Sequence, residues 1–93
     1  MIATFKNKET EKVFKQIYSK HYPNNIQKIA LRKLMMINAA DSLNDLKTPP
    51  GNYLEKLYGD RQGQYSIRIN DKYRICFRYD EGYFLDVEIV DYH

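Results

Sequence analysis

The sequence predicts an α+β fold: a short N-terminal strand, a helical hairpin, then a three-stranded antiparallel meander. Two patterns predict it, apolar residues at helical spacing through the first 41 positions and apolar–polar alternation from Tyr65 to Val90. Length adds a third constraint, since 93 residues make one domain, residues 1–93, with one layer of helices on one sheet.

Ile2-Ala3-Thr4-Phe5 reads as the short strand, and Asn7 is placed to cap the helix that follows. From Lys8 to Lys20 the apolar positions Val13, Phe14, Ile17 and Tyr18 make a narrow stripe flanked by lysines and glutamates, so this helix covers something with one face. Tyr22-Pro23-Asn24-Asn25 breaks it, and either Asn can cap a second helix running to about Asp41 or Ser42. Ile26, Ile29, Ala30, Leu34, Ile37 and Ala40 form its stripe, which Leu31, Met35 and Ala39 widen; such a helix belongs between the first helix and a sheet. Lys33 falls on this apolar stripe, with snorkelling its only evident explanation.

Residues 44–64 carry Pro-Pro-Gly and two further glycines and read as a long functional loop pinned by Leu46, Leu54 and Leu57. Tyr65, Ile67 and Ile69 then alternate with Ser66, Arg68 and Asn70; Tyr73, Ile75, Phe77 and Tyr79 with Arg74, Cys76 and Arg78; and Tyr83, Leu85, Val87 and Ile89 with Phe84, Asp86, Glu88 and Val90. Three half-buried strands follow, joined by three-residue loops at Asn70-Asp71-Lys72 and Asp80-Glu81-Gly82.

Charge narrows the function classes. The net charge is +3, but residues 1–41 hold eight Lys/Arg against three acids while residues 42–93 hold seven against nine. A polyanionic partner is allowed and not demanded. The lone Cys76 rules out an internal disulfide and suits a reducing compartment. No apolar run approaches the roughly 18 residues of a membrane span, and the first residues lack a signal-peptide plan, so a cytoplasmic protein without membrane contact is expected. Cys76, His21 and His93 are too few for the usual zinc sites, and no metal or other cofactor is expected.

The loop lengths set an expected register, pairing 69 with 73 and 79 with 83. Ile67 then faces Ile75 and Phe77 faces Leu85, while on the polar face Arg68 stands across from Arg74 and Arg74 across from Glu88. Like charges directly opposite one another are unfavourable, and a tolerated Arg–Arg pair with Ser66 and Arg78 nearby is what phosphate binding needs, because guanidinium donors match phosphate oxygens. The alternative is an exposed polar face on which Glu88 neutralises Arg74 and nothing binds.

Tyr92 is in phase with Glu88 and Val90 and so shares the arginine face, and His93 is the only C-terminal group that titrates near neutrality. Arg, Tyr and His without a metal suggest cleavage of RNA by transesterification: a base takes the proton of a ribose 2′-OH, arginines stabilise the phosphate, and an acid protonates the 5′-oxygen. Tyr92 can also stack on an unpaired base. Tyr65, Tyr73, Tyr79 and Tyr83 are more simply core or rim residues, and Cys76 reads as a packed or idle thiol.

Six segments carry a family resemblance: Ile-x-x-Phe-Lys at the start, Pro-Pro-Gly-Asn-x-Leu-Glu at 49–55, Leu57-Tyr58-Gly59-Asp60-Arg61-x-Gly63-Gln64, Ser66-Ile67-Arg68-Ile69-Asn70-Asp71, Tyr73-Arg74-Ile75-Cys76-Phe77, and Val87-Glu88-Ile89-Val90-Asp91-Tyr92-His93. In order and spacing the chain resembles, over essentially its full length, the HigB-type toxins of bacterial type II toxin–antitoxin modules in the RelE/ParE superfamily. The resemblance implies two helices on an antiparallel sheet and a ribosome-dependent, metal-free messenger-RNA endonuclease. It also implies a HigA-like helix-turn-helix antitoxin, with operator DNA reached only through it. Arg74 matches the strand arginine that contacts the scissile phosphate, Arg68 a basic position on the preceding strand, and Asp91, Tyr92 and His93 the catalytic tail; Arg61 and Arg78 join Arg68 and Arg74 as expected phosphate-binding cations. One departure stands out, since Glu55 occupies the position where some HigB toxins place a catalytic histidine. Glu55 serves either as a base or simply faces solvent. The same superfamily contains ParE-like gyrase poisons, so a growth inhibitor acting by protein binding, or an inactive antitoxin-binding subunit, is the rival reading.

Overall fold

Ile26, Ala30, Leu34 and Ile37 recur at helical spacing, and all four are buried to within 1% of full occlusion. They are the seam on which the domain closes. In the computed structural model, which describes residues 1–92, the helices α1 (Lys8–Phe14) and α2 (Asn24–Ala39) pack on one face of a four-stranded antiparallel sheet. The strands run in the order β1 (Glu55–Lys56), β2 (Tyr65–Arg68), β3 (Tyr73–Asp80) and β4 (Tyr83–Asp91). Ile67, Ile75 and Ile89 form one cross-strand row beneath the helices, and Phe77 meets Phe84 edge-on at 5.3 Å. Thr10 ties α1 to the sheet, its buried hydroxyl accepting the Ile89 N–H at 3.0 Å.

Asn7 caps α1 as expected, accepting the Thr10 N–H at 2.9 Å. The helix ends at Phe14 rather than at Lys20. Gln16 turns left-handed, φ +62°, and the N–H groups of Gln16 and Ile17 close back on the carbonyls of Val13 and Lys12 at 3.1 and 2.8 Å. This is the termination normally built on glycine, here made with glutamine. Ile17 and Tyr18 are thereby exposed instead of packed. Neither Asn24 nor Asn25 caps α2, which begins directly after Pro23 with no side-chain cap and ends at Ala39.

The expected N-terminal strand is reduced to two isolated parallel bridges, Ile2 with Phe84 and Phe5 with Val87. Ala3 and Lys6 donate to Phe84 and Val87 at 2.8 and 2.9 Å, so the segment covers the free edge of β4. Residues 44–64 are not a structureless loop: they contain 3-10 turns at Pro50–Asn52 and Gly59–Arg61 and the short strand β1, whose Glu55 pairs with Ser66.

The register between β2 and β3 is the expected one, with Ile67 opposite Ile75 and Arg68 opposite Arg74. Between β3 and β4 it is not. Asp80 pairs with Tyr83 across a two-residue turn, Glu81-Gly82, with φ of +45° and +91°, the pattern that suits the twist of a hairpin. Beyond Leu85 the ladder is interrupted, and Asp86 adopts φ +52° as the extra residue of a bulge. Arg78 therefore faces Leu85, Cys76 faces Glu88 and Arg74 faces Val90, replacing the expected Phe77–Leu85 and Arg74–Glu88 pairs. The bulge lets Phe84, Val87 and Ile89 all reach the core, although 84 and 87 lie out of strict alternation. Among the described residues no helix is long and apolar enough to cross a membrane.

Candidate functional site

Alternation along β3 sends Arg74, Cys76 and Arg78 to the face away from the helices. There Glu55, Ser66, Cys76 and Glu88 make one cross-strand row, and Arg68, Arg74 and Val90 the next. Arg74 is 9% exposed, and its surroundings explain how a cation is buried there. Its Nε donates to Ser66 Oγ at 2.8 Å, its Nη2 donates to the Tyr53 carbonyl and to the Ser66 carbonyl at 3.3 Å, and the Tyr92 ring lies 5.9 Å from its central carbon. Among the described residues the nearest carboxylate oxygen belongs to Glu55, 4.0 Å away on a side chain more than half exposed. Arg74 Nη1 has no hydrogen-bond partner among the described residues.

The other arginines are held differently. Arg61 donates to Glu88 at 2.9 Å and to Gln64 at 3.1 Å; the Glu88 bond raises its pKa further above the ordinary value. Glu88 is thus spent on Arg61, not on Arg74 as the expected register had it. Arg68 binds Asp71, and Arg78 lies 3.7 Å from Asp86. Gly63 lies against Arg78 with φ +88°, a left-handed conformation that favours glycine; a Cβ there would come within 2.7 Å of Arg78 Nη1, the mobile end of a half-exposed side chain that can move aside. Asp91 pairs with Tyr73 and approaches Lys72 at 3.7 Å, away from Arg74. His93 lies outside the described residues.

Cys76 is fully buried at the centre of this face, and burial pushes its thiol up to about 11 against the opposing pull of Arg61 and Arg74. A neutral, occluded thiol is no nucleophile. Burial likewise raises the Tyr92 phenol, which keeps its proton at neutral pH and can donate it in a hydrogen bond or offer its ring. Among the described residues no three His, Cys, Asp or Glu side chains converge as a metal site. The groups brought together are Arg74, Tyr92 and Glu55: a guanidinium with a phenol ring 5.9 Å from its central carbon and an exposed carboxylate 4.0 Å from its Nη2.

Comparison with known proteins now bears on this geometry. Residues 3–93 match the family model described as the RelE-like toxin of the type II toxin–antitoxin system, HigB. The chain belongs to this family. It is 37% identical to Toxin HigB-1 of Vibrio cholerae serotype O1 over 84 residues, 88% of this chain and 87% of that one. It is also 45% identical to an uncharacterized protein of Haemophilus influenzae over 60 residues, 64% of this chain but only 59% of that protein. In fold the HigB-like chain resembles a chain of the YoeB–YefM complex from Staphylococcus aureus, with TM-score 0.63, 24% identity and coverage of 100% and 95% of the two chains. YafQ from E. coli is similar at TM-score 0.59 and 12% identity, with coverage of 98% and 91%.

Two parts of the HigB-like site were not anticipated as such. The Tyr53 carbonyl reaches Arg74 because Tyr53 takes a left-handed conformation, φ +43°, which no local residue type announces. Lys33, 6% exposed, donates to the fully buried Asn52 beside it. Its place on an apolar stripe was the available signal.

Proposed function

We propose that this HigB-like toxin is a ribosome-dependent, metal-free messenger-RNA endoribonuclease that inhibits translation in the cytoplasm. The observation that carries the reading is the state of Arg74. Arg61 and Arg68 are hydrogen-bonded to carboxylates and Arg78 lies 3.7 Å from one, whereas every hydrogen bond of Arg74 among the described residues goes to a hydroxyl or a carbonyl, and its one carboxylate neighbour there, Glu55, stands 4.0 Å away and more than half exposed. A preorganised guanidinium whose Nη1 has no partner among the described residues suits a phosphate whose negative charge grows during reaction. In the proposed step the ribose 2′-oxygen attacks phosphorus as Glu55 accepts its proton, the bond from phosphorus to the 5′-oxygen breaks, and the products are a 2′,3′-cyclic phosphate and a 5′-hydroxyl. His93, by the family resemblance, protonates the leaving oxygen, Tyr92 stacks on a base, and Arg61, Arg68 and Arg78 guide the strand. A site this small needs the ribosome to orient its substrate.

In a translation extract the wild type should cut messages at discrete positions, and Arg74→Ala and His93→Ala should abolish the cuts. Unchanged cleavage in both variants overturns the site, and intact messages with inhibited DNA supercoiling favour the gyrase-poison reading instead.

The helical side supports the proposed partner. Ile17 and Tyr18, each more than half exposed, line a groove with Val13, Leu31 and Lys28, and Ile17 also borders a second one with Lys12 and Lys15. An acidic, amphipathic segment of a HigA-like antitoxin complements this apolar and basic surface. Ile17→Asp should weaken antitoxin capture without altering message cleavage, as binding titrations would read.

A further inference from the structure

A lysine ammonium is an expensive occupant of an apolar helix stripe, and Met or Leu at position 33 would fill the same space without burying a charge. Lys33 nonetheless lies at 6% exposure between Ala30, Leu34 and Ile37, and burial lowers its pKa, with Arg32 and Arg68 adding to the effect. Its one hydrogen-bond partner among the described residues is the side-chain oxygen of Asn52. Asn52 is completely buried, and its amide donates to the carbonyls of Leu46 and Thr48 at 3.1 and 3.4 Å. Every polar atom of that side chain therefore has a partner, and the turn at Pro50–Asn52 is fixed to α2 from within. The next residue is Tyr53, whose left-handed backbone aims its carbonyl at Arg74 Nη2.

We infer that Lys33 and Asn52 are positioning residues for Arg74. They anchor the turn that presents the Tyr53 carbonyl, and this carbonyl together with Ser66 sets the angle of the guanidinium fork. The inference rests on the nuclease reading for its consequence in activity, although the mechanical linkage does not. Without the Tyr53 carbonyl the hydrogen bonds left to Arg74 among the described residues are the Nε bond to Ser66 Oγ and a long 3.3 Å contact from Nη2 to the Ser66 carbonyl, a looser hold on the fork. Misplacement of a reacting group by about 1 Å can cost on the order of a hundredfold in rate.

The test is Lys33→Met, which keeps length and removes the buried charge. In single-turnover cleavage on programmed ribosomes its maximal rate should fall by about tenfold to a hundredfold, with an unchanged half-saturating ribosome concentration and an unchanged thermal midpoint. Lys33→Gln, which retains a donor to Asn52, should recover much of the rate. A second readout needs no activity: the Arg74 Nε–H resonance should exchange with water faster in Lys33→Met than in the wild type. A folded Lys33→Met that cleaves at the wild-type rate overturns the inference, as does unaltered Arg74 exchange. Should the wild type not cleave messages, the nuclease reading fails by itself and the exchange measurement still decides the linkage. If Lys33→Met does not fold, Asn52→Asp carries the same two readouts, since it keeps the acceptor for Lys33 and loses both donations to the turn.

Discussion

The two faces of β3 are occluded almost equally and by opposite chemistry. Toward the helices Ile75 and Phe77 are fully buried; away from them Cys76 is fully buried and Arg74 nearly so. The inner face needs only shape, because hydrocarbon loses nothing on leaving water. The outer face hides a cation, which is tolerable only with its donors satisfied, and it achieves this with a hydroxyl and two carbonyls. On the proposed function, stability and activity fall on opposite sides of one strand.

The largest expected effect lies on the inner face. Phe77→Ala removes a ring that packs on Phe84 and Tyr65 and should cost about 3–5 kcal/mol in urea denaturation. Under conditions where the variant remains folded, cleavage per folded molecule should stay at the wild-type level. A parallel loss of both would break the division between the faces.

Arg74→Ala is the outer-face counterpart. Removing a preorganised donor to developing charge lowers rates by about 10²–10³-fold, read as message cleavage on the ribosome, while the denaturation midpoint should move far less than for Phe77→Ala. Arg74→Lys should recover little, since an ammonium cannot donate to Ser66 and the Tyr53 carbonyl while leaving a planar corner for phosphate.

These two residues also show where sequence sufficed. The Arg68–Arg74 pairing was legible because Asn70-Asp71-Lys72 makes a three-residue loop, with the Asn70 side chain accepting the N–H groups of Lys72 and Tyr73 at 2.9 and 2.8 Å. The next hairpin misled for a physical reason. A turn with two left-handed residues moved the pairing by one place, and the bulge at Asp86 moved it again, so Glu88 came to rest beside Cys76 and Arg61 instead of Arg74. The early end of α1 was hidden in the same way, because glutamine rarely takes the left-handed position that Gln16 occupies. Arg74 and Tyr92 were readable as chemistry-bearing residues on one polar face, whereas Glu55 came only from the family resemblance and was read as part of a loop until β1 placed it opposite Ser66; the Tyr53 carbonyl was not readable, since a backbone group carries no letter of its own.

A smaller effect distinguishes the faces by pH. Cys76 is neutral in the folded chain up to about pH 11, whereas in the unfolded chain the thiol ionises from its ordinary value near 9. Between those values the unfolded state binds fewer protons, so stability is complete below pH 9 and declines as pH rises toward 11. The loss attributable to this thiol is on the order of 2 kcal/mol. Cys76→Ala should flatten that part of the stability profile relative to the wild type in paired denaturation series, and identical slopes would mean that the outer face is wetter than its burial indicates.

The smallest effect isolates burial from charge. Arg78 shares the outer face with Arg74 and carries the same guanidinium, but its side chain is 45% exposed and its partner Asp86 stands 3.7 Å away. An exposed pair of this kind contributes about 0–1 kcal/mol, so Arg78→Ala should leave the denaturation midpoint nearly unmoved. A solvated cation can still follow a strand of phosphates at a distance. Ribosome binding should therefore weaken modestly, and the slope of log affinity against log salt should fall by about 1, while the maximal cleavage rate stays that of the wild type. If Arg78→Ala instead lowered the maximal rate as Arg74→Ala does, charge anywhere on this face would be sufficient for the chemistry, and the buried, neutrally held fork at Arg74 would lose its special standing.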